Sequence, residues 1–256
     1  MSSIYLFMEN KRKTIIAMSD LHGNLPEVSE CDIVCICGDI VPLYVQRNMP
    51  GSIAWLAGPF QEWALNLPCK KVVLTWGNHD FIGERLMNNG TRPNEISPEG
   101  TYDGFYQHEL LFQNDGNQKI VILCHEAQNI EGINFFGTPF CPSLSSWAFY
   151  RDRKGLLKEF DKIPRNTQIL ITHCPPKYGM QGVVLQNNWN YMNDFGCLEL
   201  FEVLADHFVE NDMWVLSGHI HSGNHRVETL GKIKHRNVSL LDEDYTISYE
   251  PFKFEF

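Results

Sequence analysis

Five short polar clusters, Asp20-Leu21-His22, Gly38-Asp39, Gly77-Asn78-His79-Asp80, Thr172-His173 and Gly218-His219-Ile220-His221, each follow an apolar run. Seven of their residues, Asp20, His22, Asp39, Asn78, His173, His219 and His221, carry the carboxylate, amide and imidazole donors of a site for two divalent cations. In a two-metal hydrolytic centre the ions stand about 3.5–4 Å apart and share a bridging group. Asp39 is the natural bridge, because only a carboxylate among these residues bridges easily and Gly38 lets the backbone before it turn sharply. Asp20 and His22, two residues apart, can reach one ion; Asn78 offers an amide oxygen, and His173, His219 and His221 offer ring nitrogens. Two divalent ions bring +4 against −2 from Asp20 and Asp39, so the centre keeps about +2 and attracts a phosphoryl group. It also lowers the pKa of a bridging water, whose hydroxide attacks phosphorus in line with the leaving group. His79 is expected to stabilise developing charge or protonate the departing oxygen, with Asp80 orienting it.

For residues so far apart in sequence to meet, the elements before them must converge. Residues 14–19, 33–37, 71–75, 119–124, 133–137, 168–172 and 213–217 are short, nearly continuous apolar runs rich in β-branched residues, the pattern of strands buried on both faces. Five of these runs end in the polar clusters, and open α/β sheets bind ligands beyond the carboxyl ends of their strands. Helical spacing is expected over 59–67, with Pro59 in the first turn, and over 81–88, 145–163, with Ser145 as cap, and 197–210. The alternation predicts an α/β fold, a sheet covered by helices. Residues 224–241 read as a hairpin about Leu230-Gly231-Lys232, followed by an extended tail. Residues 89–118 and 175–196 read as long loops; the second carries Tyr178, Trp189, Tyr191 and Met192, which either line a substrate pocket or pin the loop down.

Composition narrows the class. The 256 residues, 43% of them hydrophobic, can bury a large core without disulfides, and a single domain over 1–256 is expected. A formal charge of −10 argues against a grip on long nucleic acid, which wants a positive stripe. The expected partner is a small or locally recognised phosphoester. No run reaches the roughly 18–20 apolar residues of a membrane-spanning helix, and the first 13 residues reverse the basic-then-apolar order of a signal peptide. The eight scattered cysteines fit buried thiols in a reducing, cytoplasmic compartment; Cys35 and Cys37 have the wrong spacing for a structural zinc site. His108, His125, His207, His225 and His235, outside the clusters, are read as surface or core residues, Arg85, Lys177 and Arg226 as solvated, and Trp76 as packing. Nothing in the sequence sets the oligomeric state.

The ordered set D-x-H, G-D, G-N-H-[DE], H and G-H-x-H resembles the calcineurin-like metallophosphoesterases. Phe60-Gln61-Glu62-Trp63, residues 133–139 (INFFGTP), Trp147-Ala148-Phe149, His173-Cys174-Pro175-Pro176, residues 196–200 (GCLEL) and Asn237-Val238-Ser239 are similar to the metallophosphoesterase-domain (MPPED) branch, so the resemblance spans nearly the whole chain. It implies a four-layer α/β/β/α sandwich with the dinuclear site at the carboxyl ends of the strands. One metal would lie on Asp20, His22, Asp39 and His221, the other on Asp39, Asn78, His173 and His219. Phosphodiester substrates, cyclic nucleotides among them, are implied as well, since histidine in the first motif accompanies diesterase activity. A phosphomonoesterase with the same site, and a metal- or nucleotide-binding protein with little catalysis, are the alternatives. Two departures stand out: Asp80 replaces the usual Glu, and Cys174 replaces the Gly common after the fourth-motif histidine. Gly38-Asp39 also lacks the Asp-Arg-Gly extension of Ser/Thr protein phosphatases. Donors without thiolate place manganese first among the expected metals, with iron, zinc, cobalt or nickel as alternatives.

Overall fold

A computed structural model describes residues 12–88, 118–142, 144–186 and 191–256. Its first sheet has the order β13-β1-β2-β3-β4, built from Thr14–Met18 (β1), Ile33–Cys37 (β2), Lys71–Thr75 (β3), Ile120–Ile122 (β4) and the last strand, Phe252–Glu255 (β13). β1 to β4 run parallel, and β13 closes the β1 edge antiparallel, Thr14 opposite Glu255. The second sheet has the order β11-β12-β10-β7-β6-β5. It comprises Glu126–Ile130 (β5), Ile133–Thr138 (β6), Ile169–Thr172 (β7), Met213–Ser217 (β10), Glu228–Leu230 (β11) and Ile233–Asn237 (β12). Val183–Gln186 (β8) and Tyr191–Asp194 (β9) form a separate hairpin.

Side chains alternate across a strand, and both faces here are apolar. Ile15, Ala17, Ile33, Cys35 and Val73 of the first sheet share one core with Phe135, Ile169, Ile171, Trp214 and Leu216 of the second. The sheets therefore lie face to face. The alternate residues, Ile16, Met18, Val34, Ile36 and Leu74 on one side and Phe136, Leu170 and Val215 on the other, pack with helical residues such as Phe60, Ile82, Leu156, Phe160, Leu200 and Leu204. Those helices are Met49–Trp55 (α1), Gln61–Asn66 (α2), Phe81–Asn88 (α3), Arg153–Phe160 (α4) and Leu198–His207 (α5). Helix, sheet, sheet and helix make the expected four layers, and burial on both faces explains why the strand runs read as continuously apolar.

Several boundaries differ from those the spacing predicts. Helical backbone starts at Met49, ahead of the expected 59: Asn48 accepts from the Gly51 N–H as a cap, and a π-helical stretch, Leu56–Phe60, carries Pro59 inside the run. α4 begins at Arg153 rather than near Ser145, because the Asp152 carboxylate caps the Gly155 N–H at 2.7 Å and Phe149 sits at a φ of 61°, which no helix accepts. The expected loop at 175–196 contains the β8–β9 hairpin. β5 gives no apolar run to read, because four of its five residues are exposed. The hairpin about Gly231 is present, with that glycine at a φ of +60°. The expected loop at 89–118, all but its last residue, lies outside the described residues, as do His108 and Trp189.

Candidate metal centre

The ends of β1, β2, β3, β7 and β10 converge across the sheet–sheet seam, and hydrogen bonds lock them together. Ser19 Oγ donates to the Cys37 carbonyl at 2.9 Å, Asp20 N to the Gly38 carbonyl at 3.0 Å, and Gly218 N to the His173 carbonyl at 2.9 Å. Ser19 also bridges to Ser239 just past β12. Four site residues, Asp20, His22, Asp39 and His219, hold left-handed φ angles between 42° and 69°. Such conformations are rare away from glycine and persist only where the surroundings over-determine them. Two glycines make the crowding feasible. A Cβ on Gly77 would fall 2.2 Å from Asp39 Oδ1, and one on Gly38, at a φ of +93°, would fall 2.7 Å from His173 Nδ1.

All seven expected ligands come together. Asp39, 2% exposed, turns Oδ2 toward His173 Nε2 at 3.2 Å, His22 Nε2 at 3.5 Å and His79 Nε2 at 3.9 Å, while its Oδ1 accepts from the His79 N–H at 2.8 Å. Asp20, fully buried, accepts from the His219 N–H at 3.0 Å and faces His221 Nε2 at 3.3 Å. Asn78 Oδ1 stands 2.9 Å from His173 Nε2. Two rings are oriented from behind: His173 Nδ1 donates to the Cys37 carbonyl at 2.9 Å and His221 Nδ1 to the Asp242 carbonyl at 2.8 Å, which leaves both Nε2 atoms for the site. Asp20, His22 and His221 form one group of mutually close donor atoms, and Asp20, Asp39 and His173 another.

The electrostatics are those of a site that attracts positive charge. Burial alone would raise both carboxyls, yet the histidines beside them hold Asp20 and Asp39 below the usual carboxylate range. Burial opposes a charged His173 or His221 as well, but Asp39 lifts the first to about 10 and Asp20 lifts the second to about 9. Where the nearby carboxylates compensate less, burial dominates and drives His22, 3.5 Å from Asp39, to about 4 and His219 to about 3. Both ring nitrogens of His22 are buried without a hydrogen-bond partner among the described residues. Orphaned imidazole nitrogens beside buried carboxylates that no Lys or Arg among the described residues pairs fit a divalent-cation centre, since buried polar atoms and charges otherwise carry a desolvation penalty.

Asp80 does not orient His79. Its carboxylate accepts from the N–H groups of Ile40, Val41 and Gly77 at 2.8–3.2 Å, so it braces the two loops that carry Asp39 and Asn78. Burial, with Asp39 nearby, raises its pKa to about 7. The partner of the His79 ring is Gln46, whose Oε1 lies 2.6 Å from Nδ1. Trp147 lies against that ring at 4.3 Å between centroids, and Tyr245 lies 5.1 Å from both His22 and His221. Gln46, Trp147, Asp242 and Tyr245 belong to no ligand cluster. Trp147 stands out in the sequence only through the WAF run of the family resemblance, and the other three carry no sequence signal at all.

Outside the site, Tyr178 stacks on Phe201 and donates its hydroxyl to the Thr229 carbonyl, which pins its loop. Trp76 is fully buried. His207 pairs with Asp161, His225 stacks on Tyr249 and donates from Nε2 to the His221 carbonyl at 3.0 Å, and His125 and His235 are packed inside.

The model of the calcineurin-like phosphoesterase family matches residues 13–223, and the chain belongs to that family. It is 25% identical over 243 residues to UPF0046 protein K07C11.7 of Caenorhabditis elegans, covering 94% of this chain and 74% of that protein. To human Metallophosphoesterase domain-containing protein 1 it is 26% identical over 248 residues, covering 92% of this chain and 67% of that one. These relatives bear out the resemblance to the metallophosphoesterase-domain branch. A structure of phosphopantetheinyl hydrolase from Mycobacterium tuberculosis aligns over 91% of this chain and 90% of its own, with a TM-score of 0.47 and 12% identity. No helix among the described residues is long and apolar enough to cross a membrane.

Proposed function

We propose that the protein is a two-metal phosphodiesterase acting on a small or locally recognised phosphodiester, a cyclic nucleotide being one such substrate. The observation that carries this reading is the pair of buried carboxylates, Asp20 and Asp39, ringed by imidazoles and joined through no Lys or Arg among the described residues. Asp20, His22, Asp39 and His221 would hold one divalent cation and Asp39, Asn78, His173 and His219 the other, with manganese the expected ion. When bound, the pair would supply Lewis acidity to a phosphoryl oxygen and lower the pKa of a bound water.

The chain's own groups do the rest. Asp39 is immobilised by the His79 N–H and Asp20 by the His219 N–H, so both carboxylates are held in place before substrate arrives. Gln46 Oε1 accepts from His79 Nδ1–H, which leaves Nε2 as the nitrogen open toward the site. That nitrogen, 3.9 Å from Asp39 Oδ2, is placed to hand a proton to the departing ester oxygen once the ring has taken up a second proton from solvent there, a charged form that burial disfavours and Asp39 supports. Asp80 acts at one remove, by fixing the loops on either side. Eight cysteines, none in a disulfide, support a reducing compartment such as the cytoplasm.

Metal-stripped protein titrated with Mn²⁺ should hydrolyse bis(p-nitrophenyl) phosphate faster than p-nitrophenyl phosphate, and Asp39→Asn should abolish the turnover. Faster turnover of the monoester would move the assignment to a phosphatase. Two bound ions with no turnover of either ester would leave a binding role.

A further inference from the structure

Cys141 stands beside the centre although no motif contains it. It follows β6 through Pro139 and Phe140, and its backbone is tied on both sides: its N–H donates to the Phe149 carbonyl at 3.2 Å, and its carbonyl accepts from Arg151 N at 3.3 Å. The residue is 0% exposed, so the sulfur cannot swing to solvent. Its thiol reaches the Pro139 carbonyl only at 3.6 Å and lies beside the thiol of Cys174. The sulfur forms one group with ring nitrogens of His173 and His219, all three donor atoms lying within 4.8 Å of one another. Those are the two histidines of the second cation position. The His219 ring makes no hydrogen bond among the described residues, and its ring centroid is 5.0 Å from that of His173.

A buried free cysteine ordinarily behaves as a small hydrophobe. Cys174 and Cys197 fit that role: their thiols reach backbone carbonyls or Glu199, and neither belongs to a group of donor atoms around the site. Cys141 differs in what its sulfur faces. A zinc ion with a Zn–S distance of about 2.3 Å and Zn–N distances of about 2.0–2.1 Å holds sulfur and nitrogen about 3.5 Å apart, a contraction of about 1 Å from the outer limit here.

We infer that Cys141 supplies a sulfur ligand to the cation held by His173 and His219, so that this position selects a thiophilic ion such as zinc or ferrous iron. The Asp20, His22 and His221 position keeps only nitrogen and oxygen donors and stays open to manganese. On coordination the S–H bond breaks, its proton passes to solvent and a sulfur–metal bond forms, with no change of oxidation state. The inference rests on the two-metal reading and makes the centre one for two unlike ions.

X-ray absorption on the metal-free protein reloaded with zinc tests it directly. A sulfur shell at about 2.3 Å beside the nitrogen and oxygen shell is expected in the unaltered chain. Cobalt substitution should give a near-ultraviolet sulfur-to-metal charge-transfer band. Cys141→Ser should lose both signals and shift zinc-against-manganese competition toward manganese, whereas Cys174→Ser should keep them. Two bound ions with no sulfur shell in the unaltered chain overturn the role of Cys141 and leave the two-metal reading intact. A shell that survives Cys141→Ser and vanishes in Cys174→Ser overturns it too. Failure to bind any ion removes both readings. The unaltered chain decides whether any sulfur binds the ion, and the opposite responses of Cys141→Ser and Cys174→Ser decide which one.

Discussion

Two seam histidines and one on β12 respond to burial in opposite ways. At the seam between the sheets His173 and His221 face carboxylates at 3.2 and 3.3 Å and are raised to about 10 and about 9 despite their burial. On β12, His235 is 1% exposed with Ser217 Oγ at 3.0 Å from its Nε2, and burial drives it to about 3. Burial alone leaves a histidine neutral, as at His235; a buried carboxylate in close contact with the ring, as at His173 and His221, reverses that. Proximity in the sheet does not distinguish the two, for His235 lies on a strand next to the one that leads to His219.

The sharpest way to break the contrast is to dislodge the carboxylate without removing it. Gly77→Ala would drive a methyl group against Asp39. The expected cost is about 1–3 kcal/mol of stability together with loss of metal-dependent turnover, read by calorimetry and ester hydrolysis. Gly58→Ala, whose Cβ meets nothing within 4 Å, is the matched control and should leave turnover unchanged.

A smaller effect is expected behind His79. Gln46→Leu removes the acceptor at Nδ1 and frees the ring to turn or change tautomer. kcat should fall about tenfold with KM little changed, a part of the roughly 10²–10⁴ that a positioned acid or base supplies. A rise in KM at constant kcat would show that Gln46 binds substrate instead of positioning His79.

The mildest test addresses the histidine on β12. His235 has a native value of about 3 against 6.5 when unfolded, so its neutral form is the one the fold keeps. Its contribution is whole above pH 6.5 and declines as pH falls from there toward 3, because the unfolded chain takes up the proton first. The slope is about 1.4 kcal/mol per pH unit. Urea unfolding of metal-free His235→Gln should show less stability near neutrality and a shallower fall between about pH 6.5 and about pH 4. An unchanged slope would mean that water already reaches the ring.

The same contrast explains what can be read from the chain. Asp20, His22, Asp39, Asn78, His173, His219 and His221 are legible because each stands just past an apolar run, and strand ends are where such sheets collect ligands. The strands themselves are legible because burial on both faces leaves an unbroken apolar signature. Gln46, Asp242 and Cys141 are not, since they reach the site from loops whose course depends on tertiary bonds, such as those of Cys141 with Phe149 and Arg151. Asp80 is visible in the sequence but its role there is misleading. A short carboxylate after a histidine looks like its partner, whereas three backbone N–H groups, those of Ile40 and Val41 on the facing loop and of Gly77 on its own, compete better for it. Helix starts are misplaced where a nearby Asp or Asn outcompetes the expected cap, as Asp152 does over Ser145.

The hydrogen bond from His219 N to Asp20 joins residues 199 positions apart. A donor set assembled over such a span exists only after both sheets have paired, so the unfolded chain offers nothing comparable to an ion. Cations at about a hundred times their dissociation constant would then favour the native state by about 2.7 kcal/mol per site. The ion supply would thereby set the lifetime of the folded protein as well as its activity, and a chelator would act as a mild denaturant.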